Sequence, residues 1–141
     1  MKLKNQKGFT FIEIMLVIVI ISVLASMVFI SYRGRLKEGK INVTKADIET
    51  LSTALDLYEL NAGTYPTTEQ GLESLITKPT ASPEPDEWKG PYLKKKNAPA
   101  DPWGNAYQYT SPGRNNRDGF DLKSYGPDGV EGGGDDITNW D

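Results

Sequence analysis

The residues best placed to do chemistry lie at the two ends of the chain. Glu13 is the single charge in the run 9–30, FTFIEIMLVIVIISVLASMVFI. At the far end Asp128, Glu131, Asp135, Asp136 and Asp141 crowd the segment GPDGVEGGGDDITNWD, where glycine recurs at 126, 129, 132, 133 and 134. An acid inside a membrane helix costs about 2.5–3.5 kcal/mol on insertion scales, so it usually serves a partner or a task. Carboxylates on a glycine-rich loop suit a hard cation, and calcium accepts about 6–8 oxygens in flexible geometry. The D-x-D-x-D-G spacing of an EF-hand is absent. From composition alone, a solvated, disordered tail stays open as the alternative.

Other chemistries are closed off by what is missing. The 141 residues include no cysteine and no histidine. That removes disulfides, thiol nucleophiles, thiolate metal sites and the commonest general base. Carboxylate catalysis survives in principle, with Asp128 and Asp135 as a glycosidase-like pair. A small domain, a flexible tail and the lack of any other site argue against it, and no enzymatic activity is expected. The net charge is −3, and without Lys2, Lys4 and Lys7 the chain keeps 13 basic against 19 acidic groups, a net of −6. Phosphate backbones need a basic footprint, so nucleic acid is not an expected partner.

The elements that position these residues begin with 9–30. As a helix this run is about 33 Å long, enough to cross a bilayer core. It is too long for a secretory signal, whose apolar core spans about 7–15 residues. Before it stands MKLKNQKG, with three lysines and no acid, which keeps the N-terminus cytoplasmic and sends the C-terminal part across. A plain anchor explains the length and the lysines but not Glu13. If the chain is cut after Gly8, Phe9 gains an α-amino group with a pKa near 7.7–8.0. Glu13 of one subunit would then neutralise the terminal ammonium of the next, set their register and reduce two desolvation costs together. A protonated, idle acid is the other reading, and physics alone does not separate them.

Beyond Ile30 the chain turns polar, and Ile48, Leu51, Leu55 and Tyr58 mark one helical face. Gly63 supplies the stop. One helix over about 9–62 is expected, with two helices broken near Gly39 as the alternative. Thr67 and Gln70 stand at capping-box spacing before the apolar edge Leu72, Leu75, Ile76. Four prolines between 78 and 91 predict an extended surface loop. Strands are expected at 106–110 and 120–125, joined as a hairpin through SPGRNNRDG. Trp103 and Tyr107 read as packing groups rather than ligand contacts.

Lys7-Gly8-Phe9-Thr10-Phe11-Ile12-Glu13 resembles the K-G-F-T-x-x-E cleavage motif of type IV pilins and type II secretion pseudopilins. YPTTEQGL (65–72), Pro91-Tyr92-Leu93, the DPWGN run 101–105 with Tyr107, and SYGPDG (124–129) narrow the resemblance to the major pseudopilins. It covers essentially the whole chain. One departure is Ile30, where the family commonly has a proline that would kink the helix.

The resemblance implies an α+β, pilin-like fold: a long N-terminal helix, membrane-spanning in its first half, packed on a small antiparallel sheet with an acidic glycine-rich C-terminal loop. It implies a leader, 1–8, removed by a prepilin peptidase between Gly8 and Phe9, with methylation of the new Phe9 terminus. After the leader it implies a transmembrane and filament-core helix, 9–30, and a periplasmic domain, 31–141. Glu13 would set register in a homopolymer. Calcium would be held by Asp128, Asp135 and Asp136 with the backbone carbonyls of Tyr125 and Gly133, acting as a structural staple. Implied partners are the minor pseudopilins and an inner-membrane assembly platform with its cytoplasmic ATPase. The implied function is the major subunit of a pseudopilus that drives folded exoproteins across the outer membrane. A type IV pilin of a surface fibre is the alternative, less favoured because many such pilins close a C-terminal loop with a disulfide.

Overall fold

The computed structural model describes residues 8–140, and only the backbone for 29–34. Lys2, Lys4 and Lys7 and the Ile30 side chain lie outside the described residues. The order of elements is helix α1 (Phe11–Ala62), a 3-10 turn (Leu72–Leu75), strands β1 (Gln108–Thr110) and β2 (Asp121–Ser124), a second 3-10 turn (Gly126–Asp128) and strand β3 (Ile137–Thr138). The chain forms two compact units, residues 1–38 and 39–141.

The first unit is helical. Its stretch Phe11–Val28 is long and apolar enough to cross a membrane. Every side chain there is exposed, including Phe11, Ile12, Leu16 and Val28. The helical backbone continues past Ile30 and Gly34, and also past Gly39, so the two-helix alternative does not hold. Glycine in a helix interior costs about 1 kcal/mol relative to alanine, too little to end a helix supported elsewhere.

The second unit holds the core. Ile48, Leu51, Leu55 and Tyr58 are all buried on one face of α1, as their spacing predicts. They pack with Leu72, Leu75, Leu93, Tyr107, Tyr109, Phe120, Leu122 and Ile137. The helix stops at Gly63, whose φ of +80° is left-handed and whose N–H donates to the Glu59 carbonyl at 2.7 Å. The capping box forms reciprocally: Thr67 N–H donates to Gln70 Oε1 at 3.0 Å, and Gln70 N–H to Thr67 Oγ1 at 3.2 Å. The box leads into a single 3-10 turn with Leu72 and Leu75 buried.

The proline-rich stretch carries no helix or strand, yet it is tied down. Gln70 Nε2 donates to the carbonyls of Ala81 and Pro83, each at 2.8 Å, and Trp88 Nε1 to that of Ser74 at 2.9 Å. Strands β1 and β2 form the expected antiparallel hairpin, pairing Tyr109 with Leu122. The sheet has a third member: β3 pairs with β2, setting Ser124 against Ile137. Ile137 is therefore both a buried core residue and a strand residue.

Candidate functional site

Thr10 and Glu13 close the start of α1. Thr10 N–H and Thr10 Oγ1 both donate to Glu13 Oε2, at 2.7 and 2.8 Å, while Glu13 N–H donates to Thr10 Oγ1 at 3.3 Å. This is a capping box, which satisfies donors that a helix start otherwise leaves orphaned. Glu13 thus has a local role in its own chain besides any role between chains. The Thr10 N–H belongs to the Phe9–Thr10 peptide, so it would survive a cut after Gly8. Gly8 and Phe9 are exposed, Phe9 by 84%.

The acidic loop is folded rather than loose. Gly126, Gly129, Gly132, Gly133 and Gly134 all have positive φ, a path open to glycine at little cost. Asp128 N–H donates to Asp135 Oδ2 at 3.3 Å, Val130 N–H to Asp128 Oδ1 at 2.9 Å, and Gly132 N–H to Asp136 Oδ2 at 2.9 Å. Lys123 forms an ion pair with Glu131.

Two observations bear on a cation. A Cβ placed on Gly133 would lie 3.1 Å from Asp128 Oδ2 and 3.2 Å from Asp135 Oδ1, so both carboxylates face one bare Cα. Asp136 Oδ1 is buried and has no hydrogen-bond partner among the described residues. No group of three or more acidic side chains within metal reach occurs among the described residues. Two carboxylates are thus the most that side chains bring to one point, and a cation there would need its remaining oxygens from the loop backbone. An all-oxygen set on a glycine loop fits a hard cation such as calcium. The structure brings Asp128 and Asp135 together, while Asp136 is turned to the Gly132 amide.

Two buried acids organise the turns at 101–105 and 113–121, and composition does not distinguish them. Asp101 Oδ1 accepts from the N–H groups of Trp103 and Asn105, at 3.1 and 2.8 Å, and its Oδ2 accepts from Ser124 Oγ at 2.6 Å. Asp121 accepts from the N–H groups of Arg114, Asn115 and Asn116 and from Asn115 Nδ2. Burial pushes its carboxyl up, and the surrounding donors outweigh this, leaving it below the ordinary aspartate value. An aspartate opening a D-P-W-G turn signals local capping; only the fold adds Ser124. Tyr107 is buried, donates to Asp47 Oδ2 at 3.1 Å, and has its phenol pushed up by burial and by that carboxylate.

A capped apolar helix continuing into an α+β domain with a three-stranded antiparallel sheet places this chain in the pilin-like class. Residues 31–140 match the family model "Type II secretion system (T2SS), protein G", and residues 3–29 match "Prokaryotic N-terminal methylation motif". The chain belongs to the type II secretion system protein G family. It is 50% identical to the type II secretion system core protein G of Pseudomonas aeruginosa, covering 100% of this chain and 99% of that protein. Identity to the core protein G of Vibrio cholerae is 47%, covering 99% of this chain and 94% of the other. The crystal structure of the major pseudopilin from the type 2 secretion system of enterohaemorrhagic Escherichia coli superposes with a TM-score of 0.68. It is 41% identical and covers 76% of this chain and 87% of its own.

Proposed function

We propose that this chain is the repeating structural subunit of a type II secretion pseudopilus, without chemistry of its own. The observation that carries the reading is the uncovered apolar helix. The large apolar side chains from Phe9 to Val28 are exposed, on a chain whose remainder is a protein G domain. Apolar surface of that extent needs lipid before assembly and other copies of the helix afterwards.

On this reading the leader is cut after Gly8 and the Phe9 terminus is methylated. The helix holds the subunit in the inner membrane with its domain in the periplasm, and Glu13 meets the terminal ammonium of a neighbouring copy during polymerisation. The cut creates that ammonium, so it acts as an assembly switch as well as a trimming step. The prepilin peptidase, an assembly platform with its ATPase, and minor pseudopilins are the expected partners. Asp128, Asp135 and loop carbonyls, Tyr125 and Gly133 among them, would hold calcium, with Asp136 beside them. The ion would cross-link a loop that has no disulfide to do so, stabilising the folded state by mass action.

The test is deletion of the chain in its host, then complementation. Folded exoproteins should accumulate in the periplasm and be released again when the chain is restored. Intact secretion with loss of surface fibres would instead assign it to a type IV pilus. Mass spectrometry of filaments should find a chain starting at N-methylated Phe9. A main species retaining Met1 would refute the processing step.

A further inference from the structure

We propose that Asp101 and Ser124 are positioning residues for the cation loop, aiming the Tyr125 carbonyl through a directed hydrogen-bond chain. The inference rests on the calcium reading above and adds residues that do not touch the ion. Ser124 is fully buried, and Asp101 is 5% exposed. The Ser124 hydroxyl has one proton, which goes to Asp101 Oδ2 at 2.6 Å. Its oxygen is then left as an acceptor, and the Gly126 N–H donates to it at 3.0 Å. That N–H shares a peptide plane with the Tyr125 carbonyl. A trans peptide is planar, so its C=O points opposite to its N–H. Fixing the Gly126 N–H toward Ser124 therefore fixes the Tyr125 carbonyl away from the Asp101–Ser124 pair.

The backbone around this peptide is closely packed at two glycine corners. Gly126 has a φ of +68°, and a Cβ there would collide with the Asp135 carbonyl, so the peptide lies directly against the acidic strand of the loop. A Cβ on Gly129 would lie 3.3 Å from the Asn105 side-chain amide, so the Asp101–Asn105 turn also reaches the loop's other glycine corner. The same turn is held to α1, since Lys40 Nζ donates to the Pro102 carbonyl at 3.0 Å and sits 5.7 Å from the Trp103 ring centroid. The turn therefore joins the helix to the loop. Groups that orient ligands without touching the metal typically change affinity by about 10–100-fold when removed.

The experiment titrates calcium into the full chain in detergent by calorimetry, with melting measured with and without the ion. Ser124→Ala should raise the calcium dissociation constant by about tenfold or more. Thr68→Ala is the control for general destabilisation, because it breaks the Thr68–Ser111 bonds away from the loop; its dissociation constant should match wild type. Should Ser124→Ala fail to fold, Asp101→Asn, which keeps the shape and removes the charge, is judged by the same measure. Wild-type affinity in a folded Ser124→Ala chain would overturn the positioning role while leaving the calcium site standing. Absence of calcium binding by the wild-type chain would remove both.

Discussion

Asn115 donates twice to Asp121, through its backbone N–H at 2.9 Å and its side-chain Nδ2 at 3.1 Å, both to Oδ2. A 3.1 Å bond from Gly113 N–H to the Gly119 carbonyl helps close the same loop. Because the folded carboxyl sits below its unfolded value, its contribution to stability is present above about pH 4. That contribution is lost as pH falls through the lower, folded value. Asp121→Asn should therefore lower the melting temperature at pH 7 and shrink the difference between pH 7 and pH 3. Identical pH profiles for variant and wild type would show that this cluster does not drive the acid response.

Glu13 carries two separable properties, a capping geometry and a charge. Glu13→Gln keeps an acceptor at the third position of the box, whereas Glu13→Ala removes both. Both variants should be processed after Gly8, and both should fail to enter sedimentable filaments. Assembly by the Gln variant at wild-type levels would assign Glu13 to capping alone.

The calcium reading predicts that a chelator lowers the melting temperature of the full chain. Stabilisation grows as RT ln(1 + [L]/Kd), about 2.7 kcal/mol at a hundredfold excess over Kd. Asp135→Ala should abolish the response to chelator. A melting curve unchanged by chelator in the wild type would sink the site.

Leu55, on α1, is fully buried in the core cluster. Truncation at such a position costs about 2–5 kcal/mol through lost burial and a residual cavity. Leu55→Ala should lower the unfolding midpoint in denaturant, while Leu57→Ala, at an exposed position, should hardly move it.

The readable parts of the fold are those with a local signal. The face of Ile48, Leu51, Leu55 and Tyr58, the stop at Gly63 and the Thr67–Gln70 box each rest on spacings of four residues or fewer. The hairpin is legible from two apolar runs around a turn-rich linker. The strands are shorter than expected: Ala106 is drawn into an isolated bridge with Ala100, and Tyr125 caps the 3-10 turn Gly126–Asp128. Strand β3 is two residues long and exists through its pairing with β2, so no periodicity announces it. The Thr10–Glu13 box is written in a familiar spacing, but an acid within an apolar run draws attention to its charge first. Asp101 shows only half its role locally, since Ser124 lies 23 residues away.

The shell around Asp121 has a consequence for sequence change. Three of its four donors are main-chain N–H groups, which every residue except proline supplies. The loop is thus specified as a path more than as a string of side chains. Gly113 is an exception, because a Cβ there would lie 2.5 Å from Asp121 Oδ1 and 2.6 Å from the Asn116 carbonyl. Exposed Arg114, Arg117 and Asp118 carry no such restriction. This corner is mutationally permissive: it can exchange charge and size outward, through drift or by design, while its backbone outline persists.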